Sequence, residues 1–397
     1  MKRIKVIHIV PMLSPGGAER VAVHIVTGLN RQRYEPVVIS LMGRMECDLD
    51  RLLDEAGVEV RYLGKHLGFD YRMYSRVYRA LRDCRAEIIH THLQVLRYVF
   101  PVAALLKQRS VLHTVHNLAE REIESTMRWL QRYALQHGVV PVAVAETVAL
   151  SLERVYGIVK GRVIANGIPT CSYAHPKTPW NEWRTKEGFR EDDVLFACVA
   201  RFAPQKNHAL LLKAFAEGPA ADRKVHLVLI GDGVLRQQLE TQAKSLGVAG
   251  QIHFLGLRAD IPDALGAMDV FVLSSDFEGN PLSVMEAMAS GLPIVSTAAG
   301  GVPDLFENGN QGLLVSTGDC QALSKSMTFL LRNQDARYAM GLAASRRARE
   351  RFDVSTMVQA YEEMYEQLLE QGCHQKAASA LSKSVVPVEE AVGNQNR

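Results

Sequence analysis

The sequence predicts an α/β protein built from two doubly wound, Rossmann-like domains facing a cleft, and three observations carry that prediction. Short runs rich in Val and Ile alternate with amphipathic stretches of helical length. The alternation breaks once after Ile168 and then restarts, and 397 residues are more than one ordinary core encloses. Hydrophobic content of 47% with 22% charged residues is the profile of a globular chain. A formal net charge of +3 is near balance at this length, which argues against a nucleic-acid partner while leaving room for local basic patches.

In the first half the strand-like runs are "KVIHIV", "PVVISL", "VEVRYL", "AEIIHTH", "SVLHTV" and "VPVAVA". From Val194 the pattern resumes as "VLFACVA", "VHLVLI", "QIHFLG", "DVFVLS", "PIVST" and "GLLVS". Continuous apolar runs joined by helical segments point to parallel strands buried on both faces. Between the halves, "IPTCSYAHPKTPWNEWR" carries Pro169, Pro176 and Pro179 without a helical or strand period and reads as a linker. The expected layout is an acceptor-side domain over 1–168, a linker over 169–185, a ligand-holding domain over 186–352, a helix over 353–372 that returns to the first domain, and a mobile tail over 373–397.

The positively charged start "MKRIKVIHIVPML" is interrupted by Lys5 and His8 and reads as a first strand rather than a leader, and no apolar run approaches the roughly 20 residues that span a bilayer. The six cysteines are dispersed, with no C-x-x-C pair and no ligand-spaced histidine, so neither a zinc site nor a disulfide framework is indicated. A cytoplasmic setting is expected, and a peripheral position at the inner face of the membrane is the variant to test.

Four segments of the second domain each follow a strand, so a parallel sheet would gather them along one edge. "VARFAPQKNH" offers Arg201 and Lys206, two cations suited to a diphosphate, Arg by its planar fork and Lys as a point charge, or else solvated loop charges. "LIGDG" places Gly231 and Gly233 where backbone can approach closely, or in a plain turn. "HFLGLRADI" offers Gly256, Leu257 and Arg258 as a slot for a nucleobase, or a loop with one exposed arginine.

The fourth segment, "EGNPLSVMEAMASG", surrounds the start of a helix. Gly279, Asn280 and Pro281 lead in, and the N–H groups of Leu282 and Ser283 have no partner within the helix, which makes an anion site. Glu286, one turn on, would accept hydrogen bonds from a ribose, and Glu278, before the helix, would face the opposite way along the same ligand. A nucleotide sugar has that order of hydroxyls, diphosphate and hydroxyls. In the first domain, Gly16 and Gly17 of "SPGGAER" bring backbone close at a helix start, and His116 follows "SVLHTV" at the cleft edge. His113 lies inside that strand, and His90 and His92 read as structural histidines.

With "GGAER", "HTVHN", "NGI", "ARFAPQKN", "GDG" and "EGNPLSVMEAMASGLPIV" in hand, the chain resembles the retaining GT-B glycosyltransferases of glycosyltransferase family four over nearly its whole length. The resemblance implies a GT-B fold. It implies that Arg201 and Lys206 hold a donor diphosphate, that Glu286 binds the ribose, that Glu278 faces the donor sugar, and that Gly16 and Gly17 reach the donor from across the cleft. It implies transfer of a sugar from a nucleotide-diphosphate sugar to a glycan or lipid-linked acceptor, with retention and without a cofactor.

One motif is declined. Asp48 and Asp50 form a literal D-x-D, but Asp48 reads as the N-cap of a helix carrying Leu49, Leu52 and Leu53 inward, so metal independence is expected. Arg72, Arg76 and Arg79 form a helical stripe, with Arg82 and Arg85 drifting round the axis. They make either a solvated face or a surface attracted to anionic lipid. A nucleotide-sugar epimerase, a glycan phosphorylase or a non-catalytic nucleotide-sugar binder shares such a frame. A glycosidase using Glu278 and Glu286 has no use for a diphosphate cradle.

Overall fold

The computed structural model describes residues 3–122, 127–158 and 161–384. Every apolar run quoted above is a parallel strand. The first sheet holds β1 (Ile4–Val10), β2 (Tyr34–Ser40), β3 (Glu59–Tyr62), β4 (Ile88–His92), β5 (Val111–Val115), β6 (Val139–Ala143) and β7 (Arg162–Val163), in the order β3-β2-β1-β4-β5-β6-β7. The second holds β8 (Val194–Val199), β9 (Val225–Ile230), β10 (Ile252–Gly256), β11 (Val270–Leu273), β12 (Ile294–Thr297) and β13 (Gly312–Val315), in the order β10-β9-β8-β11-β12-β13. Only β7 has no counterpart in the sequence reading, since two residues carry no period.

Helices cover both faces of each sheet, so the strands are apolar throughout rather than alternating; each buried Val or Ile contributes about 1.5–3 kcal/mol. One apolar cluster runs unbroken from Val6 and Ile25 in the first domain to Leu282, Met285 and Phe271 in the second. Strand order reverses between β1 and β4 and again between β8 and β11. Connections leave such a point on opposite faces and open a crevice at the strands' carboxyl ends. The loops after β1, β8 and β11 carry Gly16 and Gly17, Arg201 and Lys206, and Glu278 to Pro281, so they sit at these two switch points.

Three expectations are corrected. The supposed linker is helical over Thr170–Ala174 and Trp180–Glu187, with Pro169 and Pro179 at the two N-cap positions, where a missing N–H is harmless. Trp183 is 1% exposed, stacks on Phe189, and donates from Nε1 to Asp260 at 3.2 Å. Second, the last helix runs Val354–Ser384, so residues 373–384 continue it instead of forming a tail; 385–397 lie outside the described residues. Third, Cys47, not Asp48, is the N-cap of the helix Asp48–Glu55, and the Asp50 carboxylate accepts from the Cys47 amide. Leu49 and Leu53 are buried while Leu52 is 41% exposed, because Leu52 falls on the outer face of a helix only two turns long.

The chain passes between domains twice, at Ile168 and at Asp353, and the crossings are hydrogen-bonded: Ile168 N donates to Phe352 O, and Val354 N donates to Ile168 O. Beyond this point the final helix returns to the first domain, where Asn30 N donates to Glu362 and Arg33 pairs with Glu366. Among the described residues no helix is long and apolar enough to cross a membrane.

Candidate active site

The site forms where the two switch points meet. The helix Gly17–Gly28 has Gly16 as N-cap and the helix Leu282–Ala289 has Pro281, neither capped by the N-cap side chain, although at the first the Glu19 carboxylate turns back to its own amide. The two helix starts face one another. A Cβ built on Gly17 would meet only the Leu282 side chain, at 3.9 Å, whereas one on Gly279 would fall 1.9 Å from the carbonyl oxygen of His116. The loop after β11 and the loop after β5 therefore touch backbone to backbone, a contact that only glycine permits.

Ion pairs flank these helix starts. Lys206 Nζ lies 2.6 Å from Glu278 Oε1, which also accepts from Ser275 Oγ at 2.6 Å. Arg20, one turn into the first-domain helix, reaches across to Glu286 Oε1 at 2.7 Å. The Glu286 and Glu278 side chains are only 3% and 6% exposed. The sequence reading, which gives Lys206 to a diphosphate and each glutamate to hydroxyls, did not foresee that Lys206 and Arg20 also pair with the two glutamates and hold them as charges beneath the site. A carboxylate offers about four lone-pair sites, and Lys206 and Ser275 both use Oε1, which leaves Glu278 Oε2 as an acceptor.

Arg201 is exposed, and its charge acts on Glu19 in the first turn of the facing helix. Burial pushes the Glu19 carboxyl up, opposed by its own amide, by Ser14 and then by Arg201. Burial next to Glu286 pushes the Tyr173 phenol far above its usual range. Asn166 locks the helix start from the first domain, its N donating to Asn280 Oδ1 at 3.1 Å and its Nδ2 to Asn280 O at 2.9 Å. The Asn280 side chain thus holds the domains together instead of facing a ligand.

The glycines after β9 serve the loops themselves. Gly231 has φ +139, and a Cβ there would lie 2.1 Å from Ala200 O; one on Gly233 would lie 2.5 Å from Phe202 O. Gly231 N donates to the carbonyl of Gly256, which has φ +69, so the loops after β8, β9 and β10 close on one another. Leu257 is 77% exposed. Arg258 is not free to line a slot: its guanidinium pairs with Asp260 at 2.7 Å and Glu187 at 3.0 Å, and lies over Trp183. That pairing draws the Asp260 carboxyl down to about 2.

His116 is half-buried after β5. Its Nε2 is 3.0 Å from His92 Nδ1 and its own Nδ1 is buried without a partner among the described residues. Burial lowers its pKa to about 3, so the ring is neutral. His113 bonds Thr91 inside the sheet. The sequence reading missed Arg20, Tyr173, Asn166 and Ser275 as parts of the site. Arg20 stood in the quoted "GGAER", where only the glycines were used, and Tyr173 lay in the segment taken for a linker.

Comparison with known proteins places this arrangement. Residues 180–347 match the model of Glycosyl transferases group 1, and residues 15–171 match that of Glycosyltransferase Family 4. The chain belongs to the GT-B glycosyltransferases of this group 1, family-four type, and is a glycosyltransferase. It is similar to the Escherichia coli UDP-Gal:alpha-D-GlcNAc-diphosphoundecaprenol alpha-1,3-galactosyltransferase, 27% identical over 82% of this chain and 87% of that one. It is also similar to the Bacillus anthracis N-acetyl-alpha-D-glucosaminyl L-malate synthase, 23% identical over 76% and 80%. In fold it matches Anabaena Alr3699/HepE, solved in complex with UDP and glucose, with a TM-score of 0.82 and 23% identity over 92% of this chain and 100% of that one.

Proposed function

We propose that the protein moves a sugar from a nucleotide-diphosphate sugar to a hydroxyl acceptor, with retention of anomeric configuration, in the synthesis of a cell-surface polysaccharide or glycolipid. One observation carries the reading: two helix starts from different domains, neither capped by its N-cap side chain, face each other across a gap flanked by Arg201 and Lys206. Helix-start amides and cations converging on one point are the chemistry a diphosphate needs. The relatives support the rest, one named for a UDP-galactose donor and a lipid-diphosphate acceptor, and the fold neighbour solved with UDP and glucose.

In this reaction the bond from the anomeric carbon to the diphosphate breaks and negative charge grows on the leaving oxygen. Amides of Leu282 and Ser283, with Arg201 and Lys206, stabilise it, and each such donor lowers the barrier by about 3 kcal/mol. The acceptor hydroxyl attacks from the face the diphosphate leaves, and the departing phosphate oxygen takes its proton. Glu278 Oε2 accepts from sugar hydroxyls, and Glu286 holds the ribose. Metal independence is part of the proposal, and what supports it is that the D-x-D carboxylates are engaged within the fold, Asp50 buried against Tyr62 and Asp48 paired with Arg51. Nucleoside-diphosphate release across a donor panel, with and without lipid-linked acceptors, tests the reading. Product requiring no acceptor would favour an epimerase, and activity lost in EDTA and restored by Mg²⁺ would refute metal independence.

The membrane contact is part of the same proposal. Arg72 and Arg79 are exposed on the helix Arg72–Cys84, whereas Arg76 donates to the carbonyls of Leu63 and Gly64. Beside this helix the preceding loop exposes Leu67 at 89%, Phe69 at 65% and Tyr71 at 69%. Apolar side chains beside cations suit an anionic bilayer surface. Flotation with phosphatidylglycerol liposomes at moderate salt should carry the wild type upward; no flotation removes this part.

A further inference from the structure

Seven side chains form one buried hydrogen-bonded chain from the last helix to the cleft. Tyr361 Oη is 3.0 Å from Thr114 Oγ1, which is 2.7 Å from His90 Nε2. His90 Nδ1 is 2.7 Å from Tyr365 Oη, and Tyr365 Oη is 3.0 Å from His8 Nε2. His8 Nδ1 is 3.1 Å from His92 Nε2, and His92 Nδ1 is 3.0 Å from His116 Nε2. The sheet register sets this up, because His8 pairs with His90 across β1 and β4 and His92 with Thr114 across β4 and β5. His8, His90 and His92 also lie close enough to hold a metal ion. Every ring nitrogen of the three already has a partner, so the cluster is a finished network and not an open ligand set.

A neutral imidazole has one donor and one acceptor nitrogen. Burial keeps these rings neutral, with His8 and His116 lowered to about 3 and His90 and His92 well below their usual value. With each hydroxyl both donating and accepting within it, the uninterrupted chain can therefore polarise in only two directions. In one, Tyr361 donates to Thr114, Thr114 to His90, His90 to Tyr365, Tyr365 to His8, His8 to His92 and His92 to His116, and the surplus N–H emerges at His116 Nδ1. In the other, the surplus donor is the hydroxyl of Tyr361, which is 1% exposed. Both end atoms are buried, but Tyr361 is 1% exposed as a whole residue whereas His116 is part-exposed at the cleft edge, so a surplus donor can be relieved only at His116 Nδ1, by water or a ligand entering the cleft.

We infer that Tyr365, His8 and His92 are positioning residues that fix His116 as an Nδ1–H donor at the cleft, so that the C-terminal helix sets the hydrogen-bonding role of a group on the first-domain lip. The consequence for sugar transfer rests on the function proposed above; the tautomer does not. His116 then gives a hydrogen bond to an acceptor oxygen of the bound ligand and cannot serve as a base.

The test has two readouts. In protein labelled with ¹⁵N in its imidazole rings, long-range ¹H–¹⁵N correlation at pH 7.5, assigned with His116→Asn, should show His116 protonated at Nδ1 alone; protonation at Nε2 overturns the inference. With UDP-glucose as the probe, or another donor the panel identifies, His92→Leu should lower kcat about tenfold with little change in donor KM, and His92→Gln, which keeps one donor and one acceptor, should recover most of it. Adding Tyr365→Phe to His92→Leu should cost nothing more, since both cut one chain; additive losses overturn it. If His92→Leu does not fold, the wild-type tautomer still decides. If no donor turns over, the function fails while the tautomer stands or falls on its own.

Discussion

The two lips of the cleft do the same mechanical job, presenting a helix start, with opposite chemistry. The second-domain lip is charged: Lys206 is bound to Glu278, Glu286 sits below the surface, and Arg201 stands free in solvent. On the first-domain lip Gly16 and Gly17 are bare backbone and His116 ends a chain of uncharged rings, while the charges it sends across meet partners on the second domain, Arg20 at Glu286 and Arg121 over the Phe277 ring. The contrast teaches how such a cleft divides its task. Fixed charge belongs where a leaving group becomes an anion, and neutral donors belong where a sugar must be gripped without trapping it.

If the first lip depends on neutral histidines, acid should break it, and this is the largest effect expected. His8, His90, His92, His113 and His116 all have folded pKa values depressed below the unfolded value of 6.5 by burial. Their contribution is therefore complete above about pH 6.5 and is lost as pH falls toward the folded values, at about 1.4 kcal/mol per group per pH unit. Glu122, pushed up to about 8, works in the opposite sense, its contribution fading as pH rises from 4.5 through 8. Calorimetric Tm should fall steeply between pH 6.5 and 5; a flat profile would mean that the rings take up protons as readily in the fold as in the unfolded chain.

The charged lip breaks differently. Lys206→Ala leaves Glu278 buried without its cation, which costs about 3–5 kcal/mol of stability and, with the lost donor, activity of more than about a hundredfold. Arg201→Ala should lose comparable activity, about 3 kcal/mol, with Tm unchanged, because that side chain is exposed and holds nothing up. Measured together as kcat/KM and Tm, the pair separates a cation that carries structure from one that carries only chemistry. Equal Tm losses would refute the distinction.

Much of this was legible in the sequence, for a physical reason. Strands buried on two faces must be apolar throughout, so the runs from "KVIHIV" to "GLLVS" marked each strand longer than two residues, and the switch-point rule then placed Gly16, Arg201, Lys206 and Glu278 at one edge. What the sequence hid was pairing. Nothing local tells that Arg20 meets Glu286, 266 positions away, or that Tyr365 closes a chain beginning at His8, 357 positions away. The prolines of the supposed linker hid too, because Pro169 and Pro179 break a period whether they end a helix or start one, and only the burial of Trp183 reveals which.

A smaller loss should follow where the lips join. Glu286→Gln keeps the shape but removes the charge that Arg20 neutralises, leaving a guanidinium 32% exposed without its partner. If Glu286 holds the ribose, donor KM should rise about tenfold while kcat holds, as uniform binding requires. A fall in kcat at constant KM would instead make Glu286 part of the reacting centre.

The smallest effect discriminates most finely. Gly17→Ala adds one methyl facing Leu282 at 3.9 Å, an ordinary contact, so the fold should accept it and Tm should stay level or rise slightly, alanine being the better helix former. The methyl nevertheless stands in the gap between the two helix starts, where the diphosphate is proposed to lie. Donor KM should therefore rise by about 1 kcal/mol, roughly fivefold, in a protein at least as stable as the wild type. An unchanged KM would mean that the anion binds to the charged lip alone, and that the bare backbone opposite serves the closing of the domains and not the ligand.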